Sequence, residues 1–334
     1  MRIAINGFGR IGRTILRVLL KNNERDLNVV AINDLTDAKT LAHLFKYDTV
    51  YRTLENFVSS EENFLLIDDK RIRIFSEKDP LNLPWKDLNI DVVIESTGVF
   101  RSKEQCEMHI KAGAKKVILT APAKGDVDIT IVKGVNEHLY NHQIHHIISN
   151  ASCTTNCLLP LLKVLDDNFK VIKGFMTTVH SYTADQKLVD SPHKDLRRAR
   201  HAALNIVPTT TGASKAVSDV LPHLKGKIDG MALRVPTADV SITDLVCEVE
   251  KETSVEYVNW LMKSVSEHEL KGVVQYLDFP AVSSDLIGNS HSCIFDPEYT
   301  RVNGRLVKVL AWYDNEWGYC CRVVDLLKII QKNF

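Results

Sequence analysis

The 334-residue sequence predicts an α/β protein in two parts, a doubly wound parallel sheet and then an α+β region with a mostly antiparallel sheet backed by helices. The first part follows from a strand, glycine turn, helix and strand in succession at the N-terminus, and from strand-like runs that alternate with helical ones up to about residue 150. The second part follows from longer β-rich runs after Cys153, with few helices between them.

The chain opens with a strand-like run at residues 2–6, followed at once by a G-x-G-x-x-G match at 7–12 and an apolar helical stretch. A second apolar run at 28–32 leads to Asp34, about 20 residues past the last glycine, where a carboxylate can bind a ribose 2′-hydroxyl. This order predicts dinucleotide binding on a Rossmann sheet. Because a carboxylate repels a 2′-phosphate, Asp34 favours NAD over NADP.

Further runs complete both parts. In the first, we expect strands at 91–95 and 116–119, a helix near 103–111, and an antiparallel meander at 57–75 with a turn at residues 68 and 69. In the second, the β-rich runs lie at 171–179, 230–235, 240–249, 272–277 and 306–313. An amphipathic helix at 318–332 is expected to pack back onto the first part. The domains are therefore 1–152, completed by 316–334, and 153–315.

Composition excludes several classes of function. Lys+Arg and Asp+Glu both number 42, so no net field attracts nucleic acid or an anionic membrane. No apolar run reaches transmembrane length, and the chain begins directly with a strand rather than a signal sequence. Seven irregularly spaced cysteines do not indicate a disulfide framework. We expect a cytoplasmic enzyme, with no nucleic-acid or membrane partner.

Cys153 lies where an apolar strand gives way to an apolar helix over residues 157–165. A thiol in the first turn of a helix faces unpaired N–H groups and the positive end of the dipole, which favour the thiolate. The alternative is a buried structural cysteine beside an N-cap. The hypothesis of a catalytic nucleophile includes a thiol pKa well below that of a free cysteine.

His180 follows the β-rich run at 171–179, at the strand end, where its side chain can be directed into a cleft. A cysteine and histidine pair is the usual way to activate a thiol, although a lone histidine is more often structural. Hydroxyl residues at 209–211 precede a helix that starts near Ala213, an arrangement that can hold a phosphate. Arg198 and Arg234 offer guanidinium groups for the same purpose, and a surface or subunit contact is the alternative for the arginine cluster at 197–200.

Six motifs together resemble phosphorylating glyceraldehyde-3-phosphate dehydrogenases. They are NGFGRIGR at 6–13, SNASCTTN at 149–156, TTVHSYT at 177–183, DLRRAR at 195–200, PTTTGA at 208–213 and WYDNEWGY at 312–319. They span the chain in order. The resemblance implies oxidation and phosphorylation of glyceraldehyde 3-phosphate with NAD and inorganic phosphate, in a homotetramer.

The resemblance also implies the site residues. Cys153 corresponds to the nucleophile and His180 to the general acid/base. The cofactor residues are Gly9, Arg10, Ile11, Asp34, Lys78, Thr120 and Asn315, with Asn315 at the nicotinamide carboxamide. The residues for the C3 phosphate of the substrate are Thr183, Arg198 and Arg234. The residues for the attacking phosphate are Ser152, Thr154, Thr211 and Gly212.

Some interpretations remain open at this point. Ala184 and Ser191 depart from the pattern of many NAD-using members, at positions where NADP-using relatives also vary, although Asp34 favours NAD. Erythrose-4-phosphate dehydrogenase shares the nucleophile and the cofactor part. A pure NAD-binding sensor would have no need of Cys153 and His180. Histidines at 142, 145 and 146 suggest a metal site, but a polar turn before a strand is favoured, and no metal is expected.

Overall fold

Seven α-helices and sixteen β-strands in two sheets make up the protein, and the computed structural model describes residues 1–334. Contacts divide the chain into two units. The first comprises Met1–Ile131, His138–Ala151 and Cys320–Phe334, and the second comprises Val132–Glu137 and Ser152–Tyr319. No helix combines the length and the apolar character that crossing a membrane requires.

The helices are α1 Arg10–Lys21, α2 Ala38–Lys46, α3 Lys103–Lys111, α4 Cys153–Phe169, α5 Ala213–Val220, α6 Val255–Glu267 and α7 Trp317–Gln331. The strands of the first unit are β1 Arg2–Asn6, β2 Asn28–Asn33, β3 Val58–Glu61, β4 Phe64–Ile67, β5 Lys70–Phe75, β6 Val92–Glu95, β7 Lys116–Leu119, β8 Ile129–Thr130 and β9 Ile147–Ser149. The strands of the second unit are β10 Val171–Ser181, β11 Val207–Thr210, β12 Ile228–Val235, β13 Ser241–Val249, β14 Val274–Tyr276, β15 Cys293–Asn303 and β16 Leu306–Tyr313.

The first sheet has nine strands in the order β3-β4-β5-β2-β1-β6-β7-β9-β8. Its strands are parallel from β5 to β8, while β3, β4 and β5 form the antiparallel meander that the sequence predicts. The order reverses on either side of β1, so the crevice at the carboxyl end of β1 lies at a topological switch point. The prediction of a doubly wound parallel sheet is confirmed.

The second sheet has seven strands in the order β11-β12-β10-β13-β16-β15-β14. Four of its six strand pairs are antiparallel, and β10 with β12 and β14 with β15 are parallel. In β13 buried and partly buried residues alternate strictly, so one face of the sheet lies in the core. The prediction of a mostly antiparallel sheet backed by helices is confirmed.

Helix α4 lies in the core of the second unit. Thirteen of its 17 residues are buried, which explains why its apolar residues are not confined to one face. The sequence placed the helix at 157–165, whereas it begins at Cys153. Ser152 caps it, with its hydroxyl oxygen accepting from the Thr155 N–H at 3.0 Å. Cys153 is therefore the first helical residue.

Other boundaries show where sequence periodicity is weak. The runs at 240–249 and 306–313 match β13 and β16 closely, but the 13-residue helix α6 and the 11-residue strand β15 received no separate prediction. Strand β15 contains a proline and a register shift between Asp296 and Arg301, which interrupt its alternation. Three stretches that the sequence analysis counted with the first part belong to the second unit, namely residues 132–137, residue 152 and residues 316–319.

Candidate active site

Cys153 and His180 come together in the second unit. The Cys153 Sγ atom lies 3.5 Å from Nε2 of His180. Cys153 is at the N-terminus of α4, and His180 is near the end of β10 with a side chain 4% exposed. Of the seven free cysteines, six are buried and Cys153 alone is partly exposed. A cysteine at the start of a helix, with its sulfur beside an imidazole, is the arrangement that nucleophilic catalysis requires.

The expected low pKa of Cys153 is not found in this structure. Burial raises its pKa to about 11, although Arg234 and the hydrogen bonds of Thr154 act in the opposite direction. Removal from water disfavours the thiolate more than the start of the helix favours it. Burial is also the main cause of the shift at His180, where it lowers the pKa to about 3, and the positive charge of Arg234 is the second cause. The pair is therefore thiol and neutral imidazole.

Arg234, on β12, lies on the other side of the histidine ring. Its Nη1 is 2.7 Å from Nδ1 of His180 and 3.1 Å from the carbonyl oxygen of Ser181. Its Nε is buried and has no hydrogen-bond partner, and the residue makes no ion pair. A partly buried guanidinium without an ion-pair partner is a favourable place for an anion.

Arg198 is held in a different way. It forms an ion pair with Asp185, and its Nε donates to the Thr209 hydroxyl at 2.8 Å. Thr209 in turn donates to Asp195 at 2.7 Å. These contacts tie the arginine segment to the end of β11. Because Arg198 also lowers the pKa of His180, both guanidiniums act electrostatically on the same imidazole.

Thr211 and Gly212 lie directly before α5. The Thr211 hydroxyl oxygen accepts from the Ala213 N–H at 3.3 Å, and the space that a Cβ would occupy at Gly212 is open. Gly212 is the N-cap residue and contributes no side-chain cap. The first turn of α5 therefore presents backbone donors to an open space, where an anion can bind.

Tyr313 is a site residue that sequence reasoning missed. It is 1% exposed, and its hydroxyl lies 2.9 Å from the Thr154 hydroxyl and 2.7 Å from that of Thr178. Its ring meets His180 edge-on, with centroids 6.0 Å apart. The alternation of β16 places Tyr313 on the buried face, but no local pattern reveals which residues it meets there.

Asn315 is oriented by Ser241, which is the second site residue that sequence reasoning missed. The Ser241 hydroxyl donates to the Asn315 amide oxygen at 2.7 Å and accepts from the Ser181 N–H at 3.1 Å. The orientation of the Asn315 amide is thus linked to the residue after His180. Thr183, the remaining residue of the predicted phosphate set, follows β10 and is partly exposed.

Three of the six predicted cofactor residues of the first unit line a cavity of about 360 Å³, whereas Arg10, Ile11 and Thr120 are not part of its lining. Its lining includes Gly9, Asp34 and Lys78. One carboxylate oxygen of Asp34 accepts from the Phe8 N–H at 2.8 Å, and the other accepts from the Thr36 N–H at 2.9 Å. Thr120 lies after β7 and bonds to the Glu95 carbonyl oxygen at 3.0 Å.

The three glycines of the G-x-G-x-x-G sequence have different surroundings. Gly7 has a φ of +89°, and a Cβ there would lie 2.7 Å from the Thr97 nitrogen. A Cβ on Gly12 would lie 2.3 Å from the Gly7 carbonyl oxygen. Nothing lies within 4 Å of a Cβ on Gly9, at the uncapped N-terminus of α1. A tight turn, close helix packing and an open approach to backbone N–H groups are the three features that a pyrophosphate site needs.

Arg10 and Ile11 occupy the first turn of α1. The Arg10 side chain forms an ion pair with Asp48 at 2.6 Å, and the Ile11 carbonyl oxygen accepts from the Cys320 thiol at 3.7 Å. At these two positions the backbone N–H groups of the first turn of α1 are the donors available to a pyrophosphate. The residues present fit NAD.

The histidines at 142, 145 and 146 do not assemble into a metal site. His142 packs edge-on against Phe334, with ring centroids 4.9 Å apart, and Nδ1 of His145 accepts from the Asn141 N–H. No group of three His, Cys, Asp or Glu side chains is arranged to hold a metal ion.

Comparison with known proteins gives the family. Residues 1–103 match the model for the NAD binding domain of glyceraldehyde 3-phosphate dehydrogenase, and residues 152–315 match that for its C-terminal domain. Glyceraldehyde-3-phosphate dehydrogenase of Thermotoga maritima is 59% identical over 332 residues, 99% of each chain. That of Geobacillus stearothermophilus is 56% identical over 331 residues, which are 99% of this chain and 98% of the relative. Glyceraldehyde-3-phosphate dehydrogenase 2 of Synechocystis is 54% identical over 334 residues, 100% and 99% of the two chains. The thiol and imidazole pair, the two arginines and the cavity of the first unit agree with these matches. This chain belongs to the glyceraldehyde 3-phosphate dehydrogenase family.

Proposed function

We propose that the protein is an NAD-dependent, phosphorylating glyceraldehyde-3-phosphate dehydrogenase, which converts D-glyceraldehyde 3-phosphate and inorganic phosphate to 1,3-bisphosphoglycerate. The contact between Cys153 and His180 carries the proposal, because it joins a cysteine sulfur at a helix N-terminus to an imidazole nitrogen at 3.5 Å.

Cys153 is the nucleophile in this proposal. His180 accepts the thiol proton, the sulfur adds to the aldehyde carbon, and the proton passes to the aldehyde oxygen, which gives a thiohemiacetal. His180 then accepts the proton of that hydroxyl group as the group becomes a carbonyl. NAD, when bound, supplies the hydride acceptor for this oxidation. A phosphate oxygen then attacks the thioester, and the acyl phosphate leaves with release of the Cys153 thiolate.

Two sets of side chains hold the two phosphate groups. Thr183, Arg198 and Arg234 bind the C3 phosphate. The support for this set is Arg234, a partly buried cation whose buried Nε has no hydrogen-bond partner. The attacking phosphate binds to Ser152, Thr154, Thr211 and Gly212. The support for this second set is the first turns of α4 and α5, where hydroxyl groups and backbone N–H groups occur together.

The cofactor residues of the first unit are Gly9, Arg10, Ile11, Asp34, Lys78 and Thr120. Asn315 binds the nicotinamide carboxamide with its amide nitrogen, since Ser241 holds the amide oxygen. Asp34 selects NAD, because its carboxylate is fixed by two N–H groups and lines the cavity.

The assembly is a homotetramer in the cytoplasm. Between β10 and β11 a long loop exposes five aliphatic side chains by 59–80%, namely Leu188, Val189, Leu196, Leu204 and Ile206. Several exposed apolar side chains in one loop are a feature of surfaces that a partner covers. Seven free thiols, one of them the proposed nucleophile, suit a reducing compartment.

Steady-state kinetics test the reaction. Purified protein should reduce NAD with glyceraldehyde 3-phosphate in the presence of inorganic phosphate, and omission of phosphate should lower the rate. Erythrose 4-phosphate and NADP should each give a lower kcat/KM. A higher kcat/KM with erythrose 4-phosphate, or turnover that does not respond to phosphate, would contradict the proposal.

A further inference from the structure

A chain of side-chain hydrogen bonds runs behind the wall of the cavity in the first unit. It centres on Glu95, the last residue of β6, whose side chain is fully buried. One carboxyl oxygen of Glu95 accepts from the Thr97 N–H at 2.9 Å and from the Thr97 hydroxyl group. The other lies 2.5 Å from Nδ2 of Asn6 and 3.1 Å from Nε2 of His109. Asn6 and Thr97 line the cavity, whereas Glu95 and His109 do not.

Trp85 fixes the direction of these bonds at one end. Its indole Nε1–H can only donate, and Nε1 lies 3.0 Å from Nδ1 of His109. Nδ1 must therefore hold a lone pair, so the imidazole carries its only ring proton on Nε2 and donates it to Glu95. The Asn6 amide nitrogen, 3.3 Å from Nε2, donates to the same carboxyl oxygen and not to the ring.

The backbone N–H of Glu77 fixes the direction at the other end, because it also can only donate. It donates to the amide oxygen of Asn33 at 2.9 Å, and the amide nitrogen of Asn33 donates to the amide oxygen of Asn6 at 2.7 Å. The amide nitrogen of Asn6 is therefore directed to Glu95. Glu77 and Asn33 line the cavity, and Asn33 directly precedes Asp34.

Glu95 receives hydrogen bonds from both ends of the chain. Three of its four partner groups are N–H donors, so its oxygens act as acceptors, which describes an ionised carboxylate. Because a buried charge is costly unless its hydrogen bonds are complete, the carboxylate restricts its donors to one arrangement. His109 in addition meets the ring of Phe100, another lining residue, edge-on with centroids 6.5 Å apart.

We propose that Trp85, His109 and Glu95 are positioning residues, which fix the cavity wall in the shape that the adenosine half of NAD requires. None of the three lines the cavity. The inference rests on the proposed function, and it gives a role to buried groups that the reaction itself does not use. Asp34, which lines the same cavity, places the adenosine half of the cofactor there.

Calorimetric titration of Glu95→Gln with NAD and with ADP-ribose tests the proposal. The amide keeps the volume of the carboxyl group but replaces one acceptor oxygen by a donor, so two hydrogen bonds are lost. Both ligands should bind about tenfold more weakly, since ADP-ribose contains the adenosine half without nicotinamide. Wild-type affinity for ADP-ribose in the folded variant, as judged by thermal unfolding, would overturn the proposal.

Two variants of His109 provide a matched comparison that does not depend on the folding of Glu95→Gln. His109→Gln keeps an N–H donor that can reach Glu95, whereas His109→Leu has none. ADP-ribose should bind His109→Gln within about threefold of the wild-type affinity and His109→Leu about tenfold more weakly. A general loss of core packing would affect both variants alike. Equal affinities in the two would therefore refute the role of the bond to Glu95.

The ¹⁵N shifts of the His109 ring give a readout in the wild-type protein. Nδ1 should lie in the unprotonated range and Nε2 in the protonated range at pH 7, because the indole of Trp85 cannot accept a hydrogen bond from Nδ1. The loss of these two signals in His109→Gln assigns them. A protonated Nδ1 would overturn the proposed direction of the network.

Steady-state kinetics separate this inference from the proposed function. His109→Leu should raise the KM for NAD by about tenfold and change kcat by less than about twofold, because Cys153 and His180 belong to the second unit. An active wild-type protein whose KM for NAD is unchanged in His109→Leu contradicts only the positioning role. A wild-type protein that binds ADP-ribose but does not oxidise glyceraldehyde 3-phosphate contradicts only the proposed function.

Discussion

At the residue scale, position in the fold separates two cysteines that are only four residues apart. Cys153 begins α4 and is partly exposed, whereas Cys157 is fully buried, with its Sγ 3.9 Å from the Ala311 carbonyl oxygen. Burial raises the pKa of both thiols. Only Cys153 has an imidazole within reach, so we assign reactivity to Cys153 and packing to Cys157.

We expect Cys153→Ser to lose nearly all turnover, because an alcohol is a weaker nucleophile and an oxygen ester does not retain the energy of a thioester. Its affinity for NAD should remain that of the wild type. Cys157→Ser should remain active, since its hydroxyl can still donate to Ala311, at a stability cost of about 1 kcal/mol. Steady-state kinetics with NAD titration measure both, and comparable loss of turnover in the two variants would contradict the assignment.

The lowered pKa of His180 predicts a pH-dependent contribution to stability. Its pKa is about 3 in the folded protein against 6.5 for the free side chain, so the contribution is present above pH 6.5 and is lost as the pH falls toward 3. His180→Asn lacks this titration. The stability of the wild type relative to His180→Asn should therefore fall by about 2 kcal/mol between pH 7 and pH 5. Urea unfolding at fixed protein concentration measures the difference, and a difference that does not vary with pH would contradict the prediction.

At the scale of elements, β1 and α1 form one unit with the glycine turn between them. The turn requires a positive φ at Gly7 and close backbone contact at Gly12, while the N-terminus of α1 stays open at Gly9. Gly7 and Gly12 are thus required for folding, whereas Gly9 leaves space for a ligand to approach. The sequence spacing identifies the turn, but the surroundings of each Cβ separate the roles.

Gly9→Ala should fold with nearly wild-type stability, because its methyl group meets no atom within 4 Å. It should weaken NAD binding by about tenfold or more, because the methyl group projects into the space that the pyrophosphate needs. Gly7→Ala should instead lose stability by roughly 1–3 kcal/mol, from its positive φ and its contact with Thr97. Thermal unfolding and calorimetric NAD titration check this pair, and wild-type NAD affinity in a folded Gly9→Ala protein would refute the role of Gly9.

The ends of β10 and β12 show what strand pairing adds. These strands are parallel, with His180 beside Arg234 in register. The two residues are 54 positions apart in the chain, and nothing near either one predicts their contact. The sequence suggested one residue as a base and the other as an anion ligand, but the pairing of β10 with β12 decides that they also act on each other.

At the scale of the whole molecule, the loop between β10 and β11 is the clearest sign of an assembly. Leu196 is 80% exposed and Leu204 is 77% exposed, although both are aliphatic. The loop also carries Arg198, one of the proposed phosphate ligands. We therefore expect assembly to order this segment and to support activity.

Leu196→Asp should weaken the proposed tetramer, because it places a charge in an apolar contact. Light scattering should give about four times 37.7 kDa for the wild type and a lower mass for the variant at the same concentration. Leu139→Asp, a change at a 56% exposed leucine of the first unit outside this loop, serves as the control and should keep the wild-type mass. A fully active wild-type monomer at assay concentration would contradict the proposed dependence on a neighbour.

The sequence by itself determined the fold class and named Cys153, His180 and Asp34, because these features depend on local order. They are a glycine turn between strand and helix, a cysteine at a helix start, a histidine at a strand end and an acidic residue after the second strand. Only the tertiary structure placed Tyr313 against Thr154 and Thr178, linked Ser241 to Asn315, and set Arg234 against His180. It also reversed the expected pKa of Cys153, since burial outweighs the helix start. Hydrogen-bond partners and desolvation depend on residues brought together from distant strands, and these distances in space are not encoded in any short stretch of sequence.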